Sequence, residues 1–516
     1  MTIPIIDLFA GPGGLGEGFS SFNESGESPF NVSLSIEKDA VAHQTLKLRS
    51  FVRQFNNDIP EEYYNYVKTD KANIQEYLYN SKFNKQHKGA ESEAIKLVLG
   101  PDNLKIENLI KERIKSNKNW VLIGGPPCQA YSLIGRARMK GQENFAIDER
   151  HTLYQNYLQM IARFEPAVFV MENVKGMLSS KVNGESVFSR IKNDLSNPGK
   201  SLKKSKKSSL KYNIYSFTIE KKESIDLKPS DFIIKSEEYG IPQKRHRVIL
   251  LGIRSDIDNG ISKSNLLKPK KQVYVSDAIE NMPRLRSRLS RKKSDGGDNY
   301  SSWLKNLKKL TKNLSNSKIH PSAIKAITQY IENNNDYVDG GRFTMTKTNK
   351  SSNSDFIKDN WNWFHDEAIG GVLNHQSRKH MDSDLQRYLF CSIYAQRFNQ
   401  SAKLDDFPGI LLPNHKNVKK GIFSDRFRVQ LKNQPATTVT SHISKDGHYY
   451  IHYDPTQCRS LSVREAARLQ TFPDNYFFEG TVTQQYHQVG NAVPPLLARD
   501  LANTVYHIMK NRGQAN

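Results

Sequence analysis

Residues 3–19 read IPIIDLFAGPGGLGEGF, an apolar run that passes directly into a glycine-rich turn. The run is typical of a buried strand, and Gly11, Gly13 and Gly16 have the spacing G-x-G-x-x-G. Glycines at this spacing let the backbone approach a bound nucleotide where a strand gives way to a helix. NAD, FAD, S-adenosylmethionine and a merely structural turn all remain open at this point.

Similar apolar runs recur through the first half of the chain and are separated by stretches compatible with helices. They are NVSLSIE at 31–37, WVLIGG at 120–125, AVFVMEN at 167–173, YNIYSFTIE at 212–220 and RVILLGIR at 247–254. This alternation predicts an α/β fold with a mostly parallel sheet and helices on both faces. Because ligands bind beyond the carboxyl ends of such strands, the residues that follow each run are the candidates for chemistry.

Composition changes along the 516 residues divide the chain into three parts. We predict a catalytic domain over 1–255 with a polar insertion at about 60–119. A second domain over 256–458 is rich in Ser, Lys and Asn and contains the basic run RLRSRLSRKK at 284–293. Residues 459–516 return to the first domain through a helix that Ser462 and Glu465 begin as a capping box.

The chain carries 76 Lys and Arg residues against 53 Asp and Glu residues, a formal charge of +23. This excess favours a polyanionic partner such as nucleic acid, although an AT-rich genome also produces Lys-rich proteins of every function. Its three cysteines, Cys128, Cys391 and Cys458, predict neither a disulfide framework nor a metal site. No long apolar run or signal peptide is recognisable, so we expect a cytoplasmic protein.

Cys128 has the sequence setting of a nucleophile, in the segment GGPPCQAYS at 124–132. Two prolines restrict the backbone where a strand ends, and a restricted backbone can hold a reactive side chain toward a cleft. Arg136 and Arg138 follow closely, and their positive charge would favour the thiolate and attract phosphate.

A carboxylate and two guanidiniums are expected in the same cleft. Glu172 ends a strand, and Arg245 and Arg247 alternate into another, so their side chains should point to one side.

Together with Cys128, these residue types suit one reaction on cytosine. A thiolate that attacks carbon 6 of the base makes carbon 5 nucleophilic. Glu172 would then hold a proton at ring nitrogen 3 while an arginine binds the exocyclic oxygen, and this chemistry needs no metal.

These motifs together resemble the bacterial DNA cytosine-5 methyltransferases of restriction-modification systems, and the similarity extends from one end of the sequence to the other. The matching segments, in the order of the family, are DLFAGPGGLGEGF, NNDIP, GGPPCQAYS, ENV, QKRHR, RSLSVREAARLQTFPD and QVGNAVPP. The resemblance implies a Rossmann-like methyltransferase sheet that uses S-adenosylmethionine, with residues 256–458 as a smaller, irregular target-recognition domain. It also implies double-stranded DNA as the partner, base flipping, a covalent Cys128 intermediate, a monomer and an accompanying restriction endonuclease.

The resemblance assigns roles to particular residues. The expected catalytic residues are Cys128, Glu172, Arg245 and Arg247. The expected cofactor-binding residues are Phe9, Ala10, Gly11, Gly13, Gly14, Leu15, Glu37, Asp58, Ile59, Pro126, Leu153, Asn491 and Val493. The expected DNA-binding residues are Gln129, Ser132, Arg136, Arg138, Thr437 and Thr438.

Three other interpretations remain at the level of sequence. A tRNA cytosine-5 methyltransferase of the same fold is favoured by Pro126-Pro127 and disfavoured by the large second domain. A DNA-binding regulator without catalysis is disfavoured because every expected chemical residue is present. An oxidoreductase that binds NAD rests on the glycines alone.

Overall fold

A computed structural model describes most of the chain. The described residues are 2–56, 58–127, 149–182, 184–201, 210–220, 227–291, 294, 296–310, 314, 317–334, 337–346, 354–414 and 424–511. No helix within these ranges is both long and apolar enough to cross a membrane.

The strands are β1 Ile3–Leu8, β2 Phe30–Glu37, β3 Ala94–Lys96, β4 Val121–Gly124, β5 Val168–Val174, β6 Lys181–Val182, β7 Glu185–Ser186, β8 Tyr212–Tyr215, β9 Ile233–Lys235, β10 Gln243–Lys244, β11 His246–Arg254, β12 Arg288–Leu289, β13 Gly340–Met345, β14 Gly371–Gln376, β15 Lys379–His380 and β16 Ala436–Thr437.

The α-helices are α1 Gly14–Ser20, α2 Ala40–Arg53, α3 Glu61–Lys68, α4 Ile74–Tyr77, α5 Asn84–Glu93, α6 Asn103–Ile114, α7 Glu149–Phe164, α8 Val187–Ser196, α9 Pro198–Ser201, α10 Val275–Ile279, α11 Tyr300–Lys309, α12 Pro321–Asn333, α13 Asp355–Asp359, α14 Trp361–Phe364, α15 Asp382–Phe398, α16 Val463–Leu469, α17 Val482–Asn491 and α18 Pro495–Lys510.

One mixed sheet forms the centre of the molecule, with the strand order β3-β2-β1-β4-β5-β11-β8. β1 to β5 pair in parallel, whereas β11 runs antiparallel to β5, β8 and β9. All six apolar runs of the sequence lie in this sheet, which confirms the α/β prediction. Its parallel strands place Leu8, Glu37 and Gly124 at neighbouring carboxyl ends.

Apolar side chains cover both faces of the sheet. On one face, α1 and α18 pack their Phe19, Leu497 and Leu501 against strand residues such as Ile5. On the other face, α6, α7 and α8 contribute residues such as Ile110 and Tyr157. The C-terminal helix therefore completes the core that the first strand begins.

The segment expected to be an insertion, 60–119, contains part of the main sheet. β3 extends the edge beside β2, and α6 buries Ile106 and Ile110 in the core. The strand has three residues within a polar stretch, so it carries no visible hydrophobic periodicity. Pairing with β2, rather than local sequence, makes it a strand.

The middle of the chain has an apolar cluster of its own around α15, with Trp303, Tyr388 and Leu389 fully buried. It also contributes to the clusters of the first domain, because Phe364 packs with the α1 and α18 face and Leu373 packs with Phe51 of α2. The domain limits drawn at 255 and 458 remain predictions.

The predicted capping box begins α16. The Ser462 hydroxyl accepts a hydrogen bond from the Glu465 amide at 3.1 Å, and the Glu465 carboxylate accepts one from the Ser462 amide at 2.7 Å. Both carboxylate oxygens of Glu465 also accept hydrogen bonds from the fully buried Arg459 at 2.6 Å. This ion pair fixes the start of the helix to the strand-like segment before it.

Candidate active site

A cavity of about 360 Å³ lies at the carboxyl ends of β1, β2, β4 and β5. Its wall combines residues from both ends of the chain with the Glu172 strand. The lining residues are Phe9, Ala10, Gly11, Pro12, Gly14, Leu15, Ile36, Glu37, Lys38, Asp39, Ala42, Leu97, Val98, Leu99, Gly125, Pro126, Pro127, Leu153, Glu172, Asn173, Val174, His487, Gln488, Asn491, Ala492 and Val493. A cavity of this size suits a small-molecule ligand.

The glycine-rich turn forms the floor of the cavity through its backbone. Gly11 has a φ of +58°, and a Cβ built there meets no atom within 4 Å. A Cβ built at Gly14 would lie 2.3 Å from the Val493 carbonyl oxygen. The turn therefore leaves open space at Gly11 and requires glycine at Gly14, where the N- and C-terminal parts of the chain meet.

Glu37 connects the turn to the end of β2. One carboxylate oxygen accepts a hydrogen bond from the Gly11 amide at 2.8 Å, and the other accepts one from the Asp39 amide at 2.7 Å. Burial raises the pKa of this carboxyl group above its ordinary value. A carboxylate has about four acceptor positions, so Glu37 keeps capacity to accept from a ribose hydroxyl.

The two residues expected to contact an adenine, Asp58 and Ile59, lie away from the cavity. Asp58 is exposed and Ile59 packs with the cluster around Phe51, and neither lines the cavity. Leu97, Val98 and Leu99 occupy the wall instead, directly after β3. The unpredicted strand delivers them there, which is why reading the sequence missed them.

Glu172 lines the cavity and forms an ion pair with Arg247 behind it. The Arg247 Nε atom lies 2.9 Å from Glu172 Oε1, and about a seventh of each side chain is exposed, 16% and 14%. Oε1 is buried and forms no hydrogen bond with any residue that the structure describes. The guanidinium thus holds the carboxylate by charge and leaves it free to accept a hydrogen bond from a ligand.

Arg245 directs its guanidinium to two backbone carbonyls, whereas Arg247 directs its own to Glu172, contrary to the expectation that both arginines point to one side. Its Nη1 atom donates to the Val439 carbonyl at 2.9 Å and to the Gly490 carbonyl at 3.2 Å. The amide of Arg245 donates to the Gln243 carbonyl at 3.0 Å, a local turn that separates β10 from β11 and interrupts the alternation. Burial and the nearby charge of Arg247 lower the pKa of Arg245 to about 9.

The expected nucleophile and four expected DNA contacts lie outside the described residues: Cys128, Gln129, Ser132, Arg136 and Arg138. Pro126 and Pro127, which precede them, line the cavity beside Glu172. The Asn173 side-chain amide donates to the Pro126 carbonyl at 3.1 Å and so ties this loop to β5. Cys128 therefore follows directly on a loop that is anchored at the cavity.

The other two cysteines are fully buried within the cluster around α15. Burial raises the pKa of both thiols, Cys391 and Cys458, well above the ordinary value. A buried thiol of high pKa supplies little thiolate, so neither is suited to nucleophilic chemistry.

Thr437 and Thr438 lie beside the QKRHR segment. Thr437 belongs to β16, which pairs in parallel with β10, and Thr438 is half-buried with its hydroxyl donating to the Lys244 carbonyl at 2.6 Å. Neither residue lines the cavity. They therefore occupy a separate surface next to the catalytic sheet.

The remaining expected cofactor residues lie around the cavity, with one exception. Phe9, Ala10, Leu15, Pro126, Leu153, Asn491 and Val493 all line it. Gly13 does not, because it faces Tyr476 and Leu46. His487 and Gln488 line the wall without having been predicted, although they precede Asn491 by about one turn of α17 and helical spacing could have suggested them.

The profile of the family described as C-5 cytosine-specific DNA methylase matches residues 101–507. Type II methyltransferase M.Bpa9945I of Bacillus paralicheniformis is 30% identical over 98% of this chain and 99% of its own length. Type II methyltransferase M.DdeI of Desulfomicrobium norvegicum is 26% identical over 98% of this chain and 89% of its own length.

A solved structure from E. coli shows the same fold. It is a prophage-encoded protein described as a DNA modification methyltransferase, and it superposes with a TM-score of 0.55 at 19% identity, over 99% of this chain and 100% of its own. This likeness concerns the fold alone, whereas the family profile spans most of the sequence and includes the Glu172 and Arg247 strands. The chain belongs to the C-5 cytosine-specific DNA methylases and is a DNA cytosine-5-methyltransferase.

Proposed function

We propose that this enzyme transfers a methyl group from S-adenosylmethionine to carbon 5 of one cytosine within a specific site of duplex DNA, through a covalent bond to Cys128. The observation that carries the proposal is that Glu172, which is paired with Arg247, lines the same cavity as the glycine-rich turn and Pro127. The Glu172 carboxyl group, the glycine-rich turn and Pro127, which precedes Cys128, thus line one space of about 360 Å³.

The residues of the cavity suit S-adenosylmethionine. Open backbone at Gly11 can receive the methionine part, and the Glu37 carboxylate keeps capacity to accept from a ribose hydroxyl. The side chains of Leu97, Leu99 and Val493 provide an apolar wall for the adenine. When bound, the cofactor supplies an activated methyl group to the carbon that the protein has made nucleophilic.

The protein residues prepare and then restore the cytosine ring. The Cys128 thiolate adds to carbon 6, and the electron pair of the carbon 5–carbon 6 double bond moves toward ring nitrogen 3. Glu172 holds a proton at nitrogen 3, and Arg247 keeps the carboxylate in place. Methylation of carbon 5 restores the carbon 4–nitrogen 3 double bond and returns the nitrogen 3 proton to Glu172. A base then takes the proton from carbon 5, the carbon 5–carbon 6 double bond re-forms as the carbon 6–sulfur bond breaks, and the thiolate leaves.

The cytosine must leave the duplex to reach this cavity, because its carbon 5 and carbon 6 lie within the base stack. We infer that residues 256–458 read the sequence, with Thr437 and Thr438 beside the catalytic sheet among the contacts. Phosphate contacts from the basic chain would set the register, and a few side chains would distinguish the bases.

The names of the similar proteins suggest a biological role. M.Bpa9945I and M.DdeI are both type II methyltransferases. We therefore propose that this enzyme protects DNA from a restriction endonuclease of the same specificity in the cytoplasm of a bacterium. We further propose that it acts as a monomer, because one target-recognition segment accompanies one catalytic sheet.

A covalent trap tests the mechanism. Sequencing 5-methylcytosine in DNA from cells that express the protein identifies the site, and a duplex with 5-fluorocytosine at that position then has no carbon 5 proton to lose. We expect a denaturation-resistant adduct that requires S-adenosylmethionine and is absent from Cys128→Ala. A wild-type protein that methylates the unmodified duplex without forming this adduct would refute covalent catalysis, and methylation of tRNA instead of duplex DNA would refute the proposed substrate.

A further inference from the structure

A buried chain of side-chain amides connects the surface of Thr437 and Thr438 to the wall of the cavity. The Val439 amide donates to Gln243 Oε1 at 3.0 Å, and Gln243 Nε2 donates to Gln470 Oε1 at 2.7 Å. Gln470 Nε2 donates in turn to the Val489 carbonyl at 2.7 Å and the Ala492 carbonyl at 3.3 Å. Gln243 and Gln470 are fully buried, and each of their amide oxygens and nitrogens has a partner.

Arg245 makes a second connection between the same two segments. Its Nη1 atom joins the Val439 carbonyl to the Gly490 carbonyl, so both backbone polar groups of Val439 are linked to the end of α17. The two segments also touch directly, because a Cβ built at Gly490 would lie 2.2 Å from the Thr440 carbonyl carbon. Val439 therefore has little freedom to move independently of residues 489–492.

The two ends of this connection face different ligands in the proposed function. Asn491, Ala492 and Val493 line the cavity proposed for S-adenosylmethionine. Thr438, next to Val439, is half-buried and belongs to the surface proposed for DNA. A segment that is held by buried, fully partnered hydrogen bonds shifts as a unit, since leaving a buried polar group without a partner is unfavourable.

We propose that Gln243 and Gln470 are positioning residues that couple DNA binding to cofactor binding, by fixing segment 437–441 to the cavity wall at 489–493. The proposal rests on the proposed function and names the residues through which its two sites communicate. Because such coupling is reciprocal, bound cofactor strengthens DNA binding by the same factor as bound DNA strengthens cofactor binding.

The test compares DNA affinity with and without saturating S-adenosylhomocysteine, using a duplex that contains the methylated site. For wild type we expect the product analogue to tighten DNA binding by about fivefold or more, the lower end of typical couplings. Gln470→Met and Gln243→Met keep the side-chain length but remove the amide, and we expect the ratio to fall clearly below the wild-type value in each, while the Arg245 connection keeps it above one. The double variant should lose no more coupling than either single variant, because the two amides act in series.

Gln485→Met is the matched control. Gln485 is a buried glutamine on α17, the helix whose end the connection reaches. Its Nε2 donates to the Gly480 carbonyl at 2.9 Å, away from the connection. This variant should keep the wild-type ratio although it loses a buried hydrogen bond. If Gln470→Met and Gln243→Met bind both ligands with the wild-type ratio, the coupling does not run through these residues. Failure of the proposed function would look different, because wild type would then bind neither ligand or transfer no methyl group.

Hydrogen exchange on the wild-type protein gives a second test that does not depend on the folding of a variant. S-adenosylhomocysteine alone should slow amide exchange in 437–441, which does not line the cavity. DNA alone should slow exchange in 489–493. Unchanged exchange at the distant segment with either ligand would overturn the proposal.

Discussion

The Arg247 guanidinium reaches Glu172 diagonally across two antiparallel strands. In the register of β5 and β11, Glu172 lies opposite Ile249 and Arg247 lies opposite Val174, so the two charged residues are diagonal neighbours on one face. Their closest charged atoms are 2.9 Å apart. Antiparallel pairing thus brings together two motifs that are 75 residues apart in the sequence, at numbers 172 and 247.

Glu172→Gln should slow methyl transfer while leaving DNA affinity largely unchanged. An amide cannot take up negative charge or hold the proton at nitrogen 3, and losing such a group typically costs about a hundredfold to ten-thousandfold in rate. Single-turnover methylation of the mapped duplex measures the chemical step, and gel shift measures binding. Arg247→Lys combined with Glu172→Gln should be no slower than Glu172→Gln alone, since Arg247 acts through the carboxylate. Strictly additive losses would mean that Arg247 has a separate role.

Gly14→Ala should weaken cofactor binding. The new Cβ would lie 2.3 Å from the Val493 carbonyl oxygen and would push apart the two segments that enclose the cavity. We expect the Kd for S-adenosylhomocysteine to rise about tenfold, equivalent to about 1.4 kcal/mol. Calorimetry measures the change. Gly409→Ala is the control, because a Cβ there meets nothing within 4 Å; equal affinity in the two variants would show that Gly14 and Val493 do not shape the site.

Stability should decrease as the pH falls from 7 to 5. Burial lowers the pKa of His375 to about 4 from an ordinary value of 6.5, and the neutral ring accepts from Ser462 and donates to the Pro283 carbonyl. Below pH 6.5 the unfolded chain takes up a proton that the folded protein excludes until about pH 4, so this contribution is present above 6.5 and is lost across that window.

The loss from His375 alone is about 2 kcal/mol at pH 5. Burial also lowers the pKa of His452 to about 4, so His452 acts in the same direction. Urea unfolding at pH 7 and pH 5 measures the effect. His375→Gln should be less stable at pH 7 but should lose less stability on acidification. Equal stability of wild type at both pH values would contradict the assignment.

DNA binding should weaken steeply as salt rises. The chain carries a formal charge of +23, and each phosphate that a Lys or Arg neutralises releases condensed counterions. About six phosphate contacts would reduce affinity roughly a thousandfold between about 50 and 200 mM salt. Fluorescence anisotropy across a salt series gives the slope. A shallow slope would assign the positive charge to some purpose other than DNA.

Sequence reasoning predicted the parts of the site that short motifs define. The Gly11 turn, Glu37, Glu172 and Val493 line one cavity, and Arg247 pairs with Glu172. Strand ends are readable because apolar runs mark the strands, and parallel strands gather their carboxyl ends at one edge of the sheet.

The parts that sequence reasoning missed depend on pairing and turns. Leu97 and Leu99 reach the cavity because the three residues of β3 pair with β2, and a polar segment gives no sign of that. Arg245 faces Val439 and Gly490 because a local turn breaks the strand before it, which an alternating pattern cannot show. Both features are set by distant partners rather than by neighbouring residues.

Gly14 and Val493 are in contact, so the N- and C-terminal parts of the chain meet at the cavity. The middle segment, residues 256–458, connects these two parts as one long loop. Both attachment points of that loop, β11 and the Val439 segment, are anchored independently of its length. Doubling a loop costs only about 0.6 kcal/mol in closure entropy. A lineage could therefore lengthen, shorten or exchange the segment proposed to recognise DNA while the cavity keeps its shape.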